Sequence, residues 1–349
     1  MRFSVASSLT LASALVAASP LEVRDDTVTL STEAYDNMKY YVQYSASAYC
    51  NSQDVVGSLV TCEGGCPEVM ANGATILGVM PNTTVFDLEG YVAVDHVREE
   101  VVVAFRGSSD LRNWIADFDF ILTPFSECDG CYVHNGFYES WQEIKTYAEG
   151  YVEAAYALYP NYTLTIAGHS LGAAVGTIAA VDFRIAGYAC DLYTVGSPRV
   201  GNLDFAEFVT AQAGNEYRAT HYDDPVPRLP PIVLGYFHTS PEYWLEAGPA
   251  TNIDYTIDEI AICTGYANTS CNAGTSGLDG DAHEYYFQYM SCETGVSNGI
   301  VLRDVLDTRQ DSNSTDISDE ELAEKLTNYT VQDVAYSKQL QDDGQAQWP

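Results

Sequence analysis

Basic side chains are scarce in this sequence. Its 349 residues include 15 lysines and arginines against 49 aspartates and glutamates, which gives a formal net charge of −34 at pH 7. Such a charge repels nucleic acids and anionic membranes over long range. We therefore expect no nucleic-acid partner and an uncharged ligand or substrate, although solubility in an acidic medium is an equally good reason for the same charge.

Long apolar runs are also missing beyond the N-terminus. Residues 1–18 have a basic start at Arg2, a largely apolar stretch from Leu9 and small residues up to Ala18, a pattern typical of a secretory signal peptide. The apolar stretch is too short to span a bilayer, and no later one reaches the roughly 18 residues that a transmembrane helix needs. We predict a secreted, extracellular protein with no transmembrane segment, in which residues 19–30 form a pro-segment or linker.

The cysteines of an exported chain favour disulfides over metal ligands, so we expect no metal. Their short spacings predict three local bridges: Cys62–Cys66, Cys128–Cys131 and Cys263–Cys271. Cys50 and Cys292 would then tie together the two ends of the main domain and leave Cys190 as a buried free thiol. Asn-x-Ser/Thr triplets compatible with a glycoprotein occur at Asn82, Asn161, Asn268, Asn313 and Asn328.

Strand and helix patterns alternate through most of the chain. A helical pattern at 31–49 is followed by β-rich runs at 74–79, 91–95 and 101–105, a helix at 136–159, a strand at 163–167, a helix at 171–185 and a strand at 192–195. This alternation predicts a parallel or mixed sheet with helices on its faces. The predicted domain spans 31–292.

The C-terminal extension, residues 293–349, is polar and acidic. Ser318 and Glu321 form a capping-box pattern that opens a predicted helix over 318–341. One interpretation is that its apolar stripe packs on the main domain and restrains access to the site, and the other is a solvated tail. The stripe consists of Leu322, Leu326, Tyr329, Tyr336 and Leu340.

Residues 168–172 read GHSLG, which places Ser170 between two glycines. An apolar strand pattern precedes this segment and a helix of small residues follows it. That context is typical of the nucleophile elbow, a sharp strand-to-helix turn in which side chains at the glycine positions would collide with backbone. The alternative is a tight turn without chemistry.

A serine nucleophile needs a base and an orienting acid, and in this fold they follow it in the order acid, then histidine. His221 precedes the best acid candidates, Asp223 and Asp224, which argues against it. His283 follows a glycine-rich loop, and by order alone His238 stays open as an alternative base.

Five ordered segments carry a family resemblance. They are 105–108 (FRGS), 168–172 (GHSLG), 196–202 (GSPRVGN), 224–230 (DPVPRLP) and 282–287 (AHEYYF). Together they resemble the fungal class 3 lipases, the family of the Thermomyces and Rhizomucor enzymes, from about residue 30 to 292. The extension resembles that of some filamentous-fungal members.

The resemblance implies an α/β-hydrolase fold, with a mostly parallel sheet, helices on both faces and a lid helix over the site. It implies Ser170 as nucleophile, Asp224 as acid and His283 as base, with Ser108 and Leu171 as oxyanion donors. The Leu171 N–H also follows from elbow geometry. The family pattern includes the pairing of Cys50 with Cys292.

Residues 109–120 correspond to the family's lid. An ordinary core helix is the alternative, since the apolar residues recur at helical spacing. They are Leu111, Trp114, Ile115 and Phe118.

The resemblance implies a secreted triacylglycerol lipase that acts on acylglycerols at a lipid–water interface and needs no cofactor. We favour a monomer. A feruloyl or other carboxylesterase of the same fold is an alternative, since 123–125 (TPF) and Cys128 to Cys131 resemble those esterases, whereas Trp114 and Ile115 favour a lipase. A non-catalytic binding protein is a third hypothesis, which the complete triad argues against.

Overall fold

A computed structural model describes residues 29–108, Ile115, 119–291 and 318–343. The predicted signal peptide, most of the predicted pro-segment, Cys292 and Asn313 lie outside the described residues, as do Leu111, Trp114 and Phe118 of the predicted lid. Within the described part of the chain, no helix has the length and apolarity needed to cross a bilayer.

The strands, numbered in chain order, are β1 (Thr75–Met80), β2 (Gly90–Asp95), β3 (Glu100–Phe105), β4 (Leu122–Pro124), β5 (Tyr132–His134), β6 (Thr163–His169), β7 (Cys190–Val195), β8 (Glu216–His221), β9 (Glu242–Leu245) and β10 (Ile260–Cys263). The helices are α1 (Thr32–Asn51), α2 (Pro67–Asn72), α3 (Asn135–Leu158), α4 (Leu171–Ile185), α5 (Leu203–Ala211), α6 (Asp281–Glu284) and α7 (Asp319–Asp342).

Eight of the strands form one sheet in the order β1-β2-β3-β6-β7-β8-β9-β10. Its centre, from β3 through β6, β7 and β8 to β9, is parallel, and the outer pairs are antiparallel. Strands β4 and β5 pair separately. The predicted α/β-hydrolase fold, a mostly parallel central sheet with helices on both faces, is confirmed.

Alternate residues of the central strands face two separate cores. Val101 and Val103 of β3 belong to the core that α3 and α4 cover, whereas Val102 and Ala104 belong to the core that α1 covers. Parallel strands read as continuous apolar runs because both of their faces are buried. The sheet is therefore held rigidly between helical layers.

Helix α7 packs on the main domain. It begins with the capping box that Ser318 and Glu321 form. Leu322 and Leu326 are buried in the core beside α3 and α4. The rest of the stripe, Tyr329, Tyr336 and Leu340, is partly buried against the domain.

Disulfides join Cys62 to Cys66, Cys128 to Cys131 and Cys263 to Cys271. Cys50 is also disulfide-bonded, and its predicted partner, Cys292, lies outside the described residues. Cys190 is a buried free thiol, and burial raises its pKa to about 12.

Candidate active site

Ser170 lies on a tight turn between strand β6 and helix α4. Its φ is 56° and its ψ is −127°, a conformation that residues other than glycine rarely adopt. A Cβ on Gly172 would lie 2.4 Å from the Arg106 carbonyl oxygen, so glycine is required where α4 approaches the end of β3. The strained turn holds the Ser170 side chain at the carboxyl edge of the sheet.

The loops at this edge bring the sequence-predicted residues together. Asp224 follows strand β8, and its carboxylate is completely buried. Its Oδ2 lies 2.8 Å from Nδ1 of His283, a residue of helix α6. Its Oδ1 accepts a hydrogen bond of 2.8 Å from the N–H of Val226. The Tyr286 hydroxyl donates to Oδ2 as well, so three donors fix the carboxylate.

This contact sets the tautomer of His283. A carboxylate only accepts hydrogen bonds, so Nδ1 of the imidazole is the donor and Nε2 of the neutral ring is left as an acceptor. Nε2 is buried and has no hydrogen-bond partner in the described part of the chain. The same holds for Oγ of Ser170. An unpaired acceptor and an unpaired hydroxyl thus occur in one buried site.

Two contacts place the His283 ring beside the Ser170 turn. Its centroid lies 4.5 Å from that of His169, the residue before Ser170. A Cβ on Gly196 would lie 2.9 Å from Cε1 of His283, and the carbonyl of the preceding Val195 accepts the Ser170 N–H at 3.0 Å. The ring therefore packs against both backbone segments that hold the serine.

The other two histidines that follow Ser170 have hydrogen-bond partners other than Asp224. Nδ1 of His221 lies 2.8 Å from the Ala282 carbonyl and Nε2 lies 2.8 Å from the Tyr255 hydroxyl. Nε2 of His238 lies 2.6 Å from the Pro227 carbonyl. Burial lowers the pKa of both imidazoles, that of His238 well below its usual range. Of these three histidines, His283 alone is hydrogen-bonded to Asp224.

A second group of buried polar side chains supports the turn, and the sequence analysis did not predict it. The Tyr49 hydroxyl lies 2.6 Å from Nδ1 of His169 and accepts the Gly107 N–H at 3.0 Å. Nε2 of His169 lies 2.9 Å from the His283 carbonyl. Burial, and then the nearby His283, lower the pKa of His169 well below its usual range. A neutral His169 therefore links helix α1 to the backbone of His283.

The predicted oxyanion donors flank the serine. Leu171 is buried and is the first residue of α4, where backbone N–H groups have no partner within the helix. On the other side, a Cβ on Gly107 would lie 2.8 Å from Cβ of Ser170. Ser108, the next residue, is half-buried. Both predicted donors thus belong to backbone that borders Ser170.

Of the four apolar residues predicted for the lid, the structure describes Ile115. Its side chain is only 2% exposed and belongs to the same core as Leu171. At the C-terminal end of the predicted lid segment, the Phe120 ring contacts Tyr329 of helix α7 edge-on, with 5.7 Å between centroids. The C-terminal helix therefore borders the end of the predicted lid segment.

Within the described ranges, no three His, Cys, Asp or Glu side chains are grouped so that they could hold a metal ion. Glu284, next to His283, has its pKa raised to about 7 by burial.

Of the glycosylation candidates, Asn82, Asn161 and Asn328 are exposed, whereas the Asn268 amide is half-buried and donates to the Thr264 carbonyl at 2.7 Å.

Comparison with known proteins shows the family. The family model described as Lipase (class 3) matches residues 102–234. The chain is 45% identical over 336 residues to the secreted mono- and diacylglycerol lipase 1 of Fusarium solani. The aligned residues cover 94% of this chain and 96% of the relative.

Solved structures agree with this relationship. The mono- and diacylglycerol lipase of Aspergillus oryzae is 39% identical, with a TM-score of 0.70 over 74% of this chain and 98% of its own. A triacylglycerol lipase whose catalytic centre is described as a serine protease triad is 29% identical, with a TM-score of 0.65 over 75% of this chain and 98% of its own. The chain therefore belongs to the class 3 lipase family and is a secreted lipase.

Proposed function

We propose that Ser170, His283 and Asp224 form a catalytic triad that hydrolyses acylglycerol ester bonds through an acyl-enzyme. The observation that carries this proposal is the Asp224–His283 hydrogen bond of 2.8 Å, in a site where Nε2 of His283 and Oγ of Ser170 are both buried and have no partner among the described residues. The related triacylglycerol lipase with a serine protease triad supports it.

The mechanism follows from the tautomer of His283. Nε2 takes the Ser170 proton while Oγ attacks the ester carbonyl carbon, and the Asp224 carboxylate stabilises the imidazolium that forms. Collapse of the tetrahedral intermediate breaks the ester bond, and the imidazolium gives its proton to the departing alcohol. Water then attacks the acyl-enzyme by the same route and releases the fatty acid and the free serine.

The negative charge that develops on the carbonyl oxygen needs donors that are already in place. The N–H of Leu171 at the start of α4 is one, because its position in the first helical turn leaves it unpaired within the helix. Ser108, which follows the Gly107 backbone that lies beside Ser170, supplies the second. No step requires a metal or a cofactor.

The substrate class follows from the relatives and from the predicted lid. Relatives of Fusarium and Penicillium are named mono- and diacylglycerol lipases, so partial acylglycerols are the substrates that we favour over triacylglycerols. Residues 109–120 act as a lid in this proposal, with the buried Ile115 on its inner face. Opening of the lid exposes that apolar face, and an oil surface buries it again. Contact with the oil surface therefore favours the open state.

A Ser170→Ala variant tests the triad. Loss of the nucleophile should lower kcat on emulsified diacylglycerol by at least about a thousandfold and abolish covalent labelling by an organophosphonate. Ser126→Ala, at an exposed serine, is the matched control and should keep both. Labelling of the Ser170→Ala protein, or hydrolysis above a trace, would contradict the triad.

Assays of the wild-type protein distinguish the proposed lipase from the esterase alternative. The wild type should hydrolyse emulsified mono- and diacylglycerol faster than methyl ferulate and should be activated when the substrate passes its solubility limit. Feruloyl ester hydrolysis without interfacial activation would reject the acylglycerol assignment and leave the triad intact.

A further inference from the structure

Two buried arginines lie between the catalytic loops and helix α7. Arg199, in the loop after β7, is 1% exposed, and Arg228, in the loop after β8, is 5% exposed. A buried guanidinium is unfavourable unless it is paired and hydrogen-bonded. The groups that bind these two guanidinium groups therefore stabilise the positions of the loops after β7 and β8.

Arg228 ties together the loops that carry Asp224 and His283. Its Nη2 donates to the Asp223 carbonyl at 3.1 Å, next to Asp224. Its Nη1 donates at 2.7 Å to the carbonyl of Thr275, in the segment that leads to His283. Nη2 also donates to the Gly277 carbonyl in that segment. One guanidinium thus fixes the spacing between the two loops.

Helix α7 adds a side-chain partner to Arg228. Nη1 donates to Oγ1 of Thr330 at 3.3 Å, and Thr330 itself is 8% exposed. This hydroxyl is the contact that the C-terminal helix makes with the guanidinium that joins the two loops.

Asp333, one turn further along α7, pairs with the other arginine. Its Oδ2 lies 2.9 Å from Nη1 of Arg199, and both side chains are buried. The same Nη1 donates to the carbonyls of Arg228 and Pro230 at 2.7 and 2.8 Å. The other Asp333 oxygen accepts the Val233 N–H at 3.0 Å. Asp333 therefore binds the segment that follows Asp224 in two ways. It contacts Val233 directly, and through Arg199 it holds the carbonyls of Arg228 and Pro230.

We propose that helix α7 is a positioning element of the active site: through Asp333 and Thr330 it holds Arg199 and Arg228, and these fix the loops that carry Asp224 and His283. The proposal rests on the triad proposed above. This role differs from that of a helix that only restrains access to the site. If α7 positions the loops, loss of its contacts lowers the rate of the chemical step, whereas loss of a restraint on access would raise the rate.

The test is Asp333→Asn, which removes the charge and keeps the shape. Misplacement of the acid and the base should lower kcat on a dissolved short-chain ester by about tenfold, with KM changed by less than about threefold. The rate constant for phosphonylation of Ser170 should fall by the same factor. Both are measured well below the melting temperature, where a helix that is merely structural would leave them unchanged.

Asp342→Asn is the matched control, since Asp342 lies on the same helix and is 66% exposed. It should behave as the wild type. If Asp333→Asn does not fold, Thr330→Val serves, with an expected loss in kcat of about threefold. Because this change also removes the Asn328 glycosylation triplet, Asn328→Gln is its control.

Equal kcat and equal labelling rates in Asp333→Asn and Asp342→Asn would overturn the positioning role, as would a faster rate in Asp333→Asn. In either case, covalent labelling of the wild type at Ser170 would still support the proposed triad. Failure to label Ser170 in the wild type would instead reject the proposed function itself, so the two failures are distinguishable.

Discussion

The Tyr286 hydroxyl donates a hydrogen bond to Oδ2 of Asp224. That oxygen also lies 2.8 Å from Nδ1 of His283, so a tyrosine and a histidine share one acceptor. Burial, and then the charge of Asp224, raise the pKa of Tyr286 well above its usual range. The hydroxyl is therefore a permanent donor that draws part of the carboxylate's negative charge away from the imidazole.

Tyr286→Phe should strengthen the interaction between Asp224 and a protonated His283. Without the hydroxyl, Oδ2 has one donor fewer, so the imidazolium is stabilised and the acidic limb of the kcat/KM profile should move to higher pH by about half a unit. The buried carboxylate also loses a hydrogen bond, which should lower the free energy of unfolding by about 1.5 to 3 kcal/mol. Tyr132→Phe, at an exposed tyrosine, is the control, and an unshifted acidic limb in Tyr286→Phe would contradict this role.

A pair of histidine substitutions separates the two bases that chain order left open. His283→Gln removes the nitrogen that accepts the Ser170 proton, and kcat should fall by at least about a thousandfold. His238→Gln keeps a donor that can reach the Pro227 carbonyl, to which Nε2 of His238 now lies at 2.6 Å, and kcat should stay within about threefold of wild type. Steady-state kinetics on a dissolved ester decide, and a comparable loss in His238→Gln would contradict the assignment of His283.

Short-range patterns in the sequence were enough to predict the first five of the eight strands of the main sheet. The strand patterns at 91–95 and 101–105 are observed as Gly90–Asp95 and Glu100–Phe105, and the helix at 171–185 has the predicted bounds. These elements are apolar on both faces or built of small residues, so local pattern and burial agree. The strands after residue 212, such as Glu216–His221, carry charged and aromatic side chains whose burial depends on partners far along the chain, and the sequence analysis did not predict them.

The candidate site divides in the same way. Ser170 is marked locally by its glycines, whereas Asp224 and His283 were assigned from chain order and family resemblance. Tyr286 and His169 stand inside the motifs, but their hydrogen bonds join segments more than 60 and 110 positions apart, which a single sequence does not reveal. The Arg199–Asp333 pair, separated by 134 positions, is a long-range contact of the same kind.

Ile115 offers a test of the lid. Its side chain is 2% exposed, so Ile115→Ser removes about 2 kcal/mol of apolar burial from the closed state. Hydrolysis of a dissolved ester without an interface should rise severalfold, and the ratio of emulsified to dissolved activity should fall. Ile121→Ser, at an isoleucine that is 56% exposed, should leave that ratio unchanged; an unchanged ratio in Ile115→Ser as well would count against a closed lid that Ile115 stabilises.

Glu100 makes stability depend on pH. Burial raises the pKa of its carboxyl to about 7, against the Tyr41 hydrogen bond and the Arg98 charge, which lower it. Because the folded state binds this proton more tightly than the unfolded state, the contribution of Glu100 is fully present below about pH 4.5 and is lost as pH rises through about 7.

Glu100→Gln should remove this dependence, since the amide does not titrate. Between about pH 4.5 and 7 the free energy of unfolding of the wild type should fall relative to the variant by up to about 1.4 kcal/mol per pH unit. Urea unfolding at pH 4.5, 5.5 and 7 measures the difference. Glu139→Gln, at an exposed position, is the control and should follow the wild type. Parallel stability curves for wild type and Glu100→Gln would show that Glu100 does not take up its proton in this range, because the only change between the two proteins is the titratable oxygen.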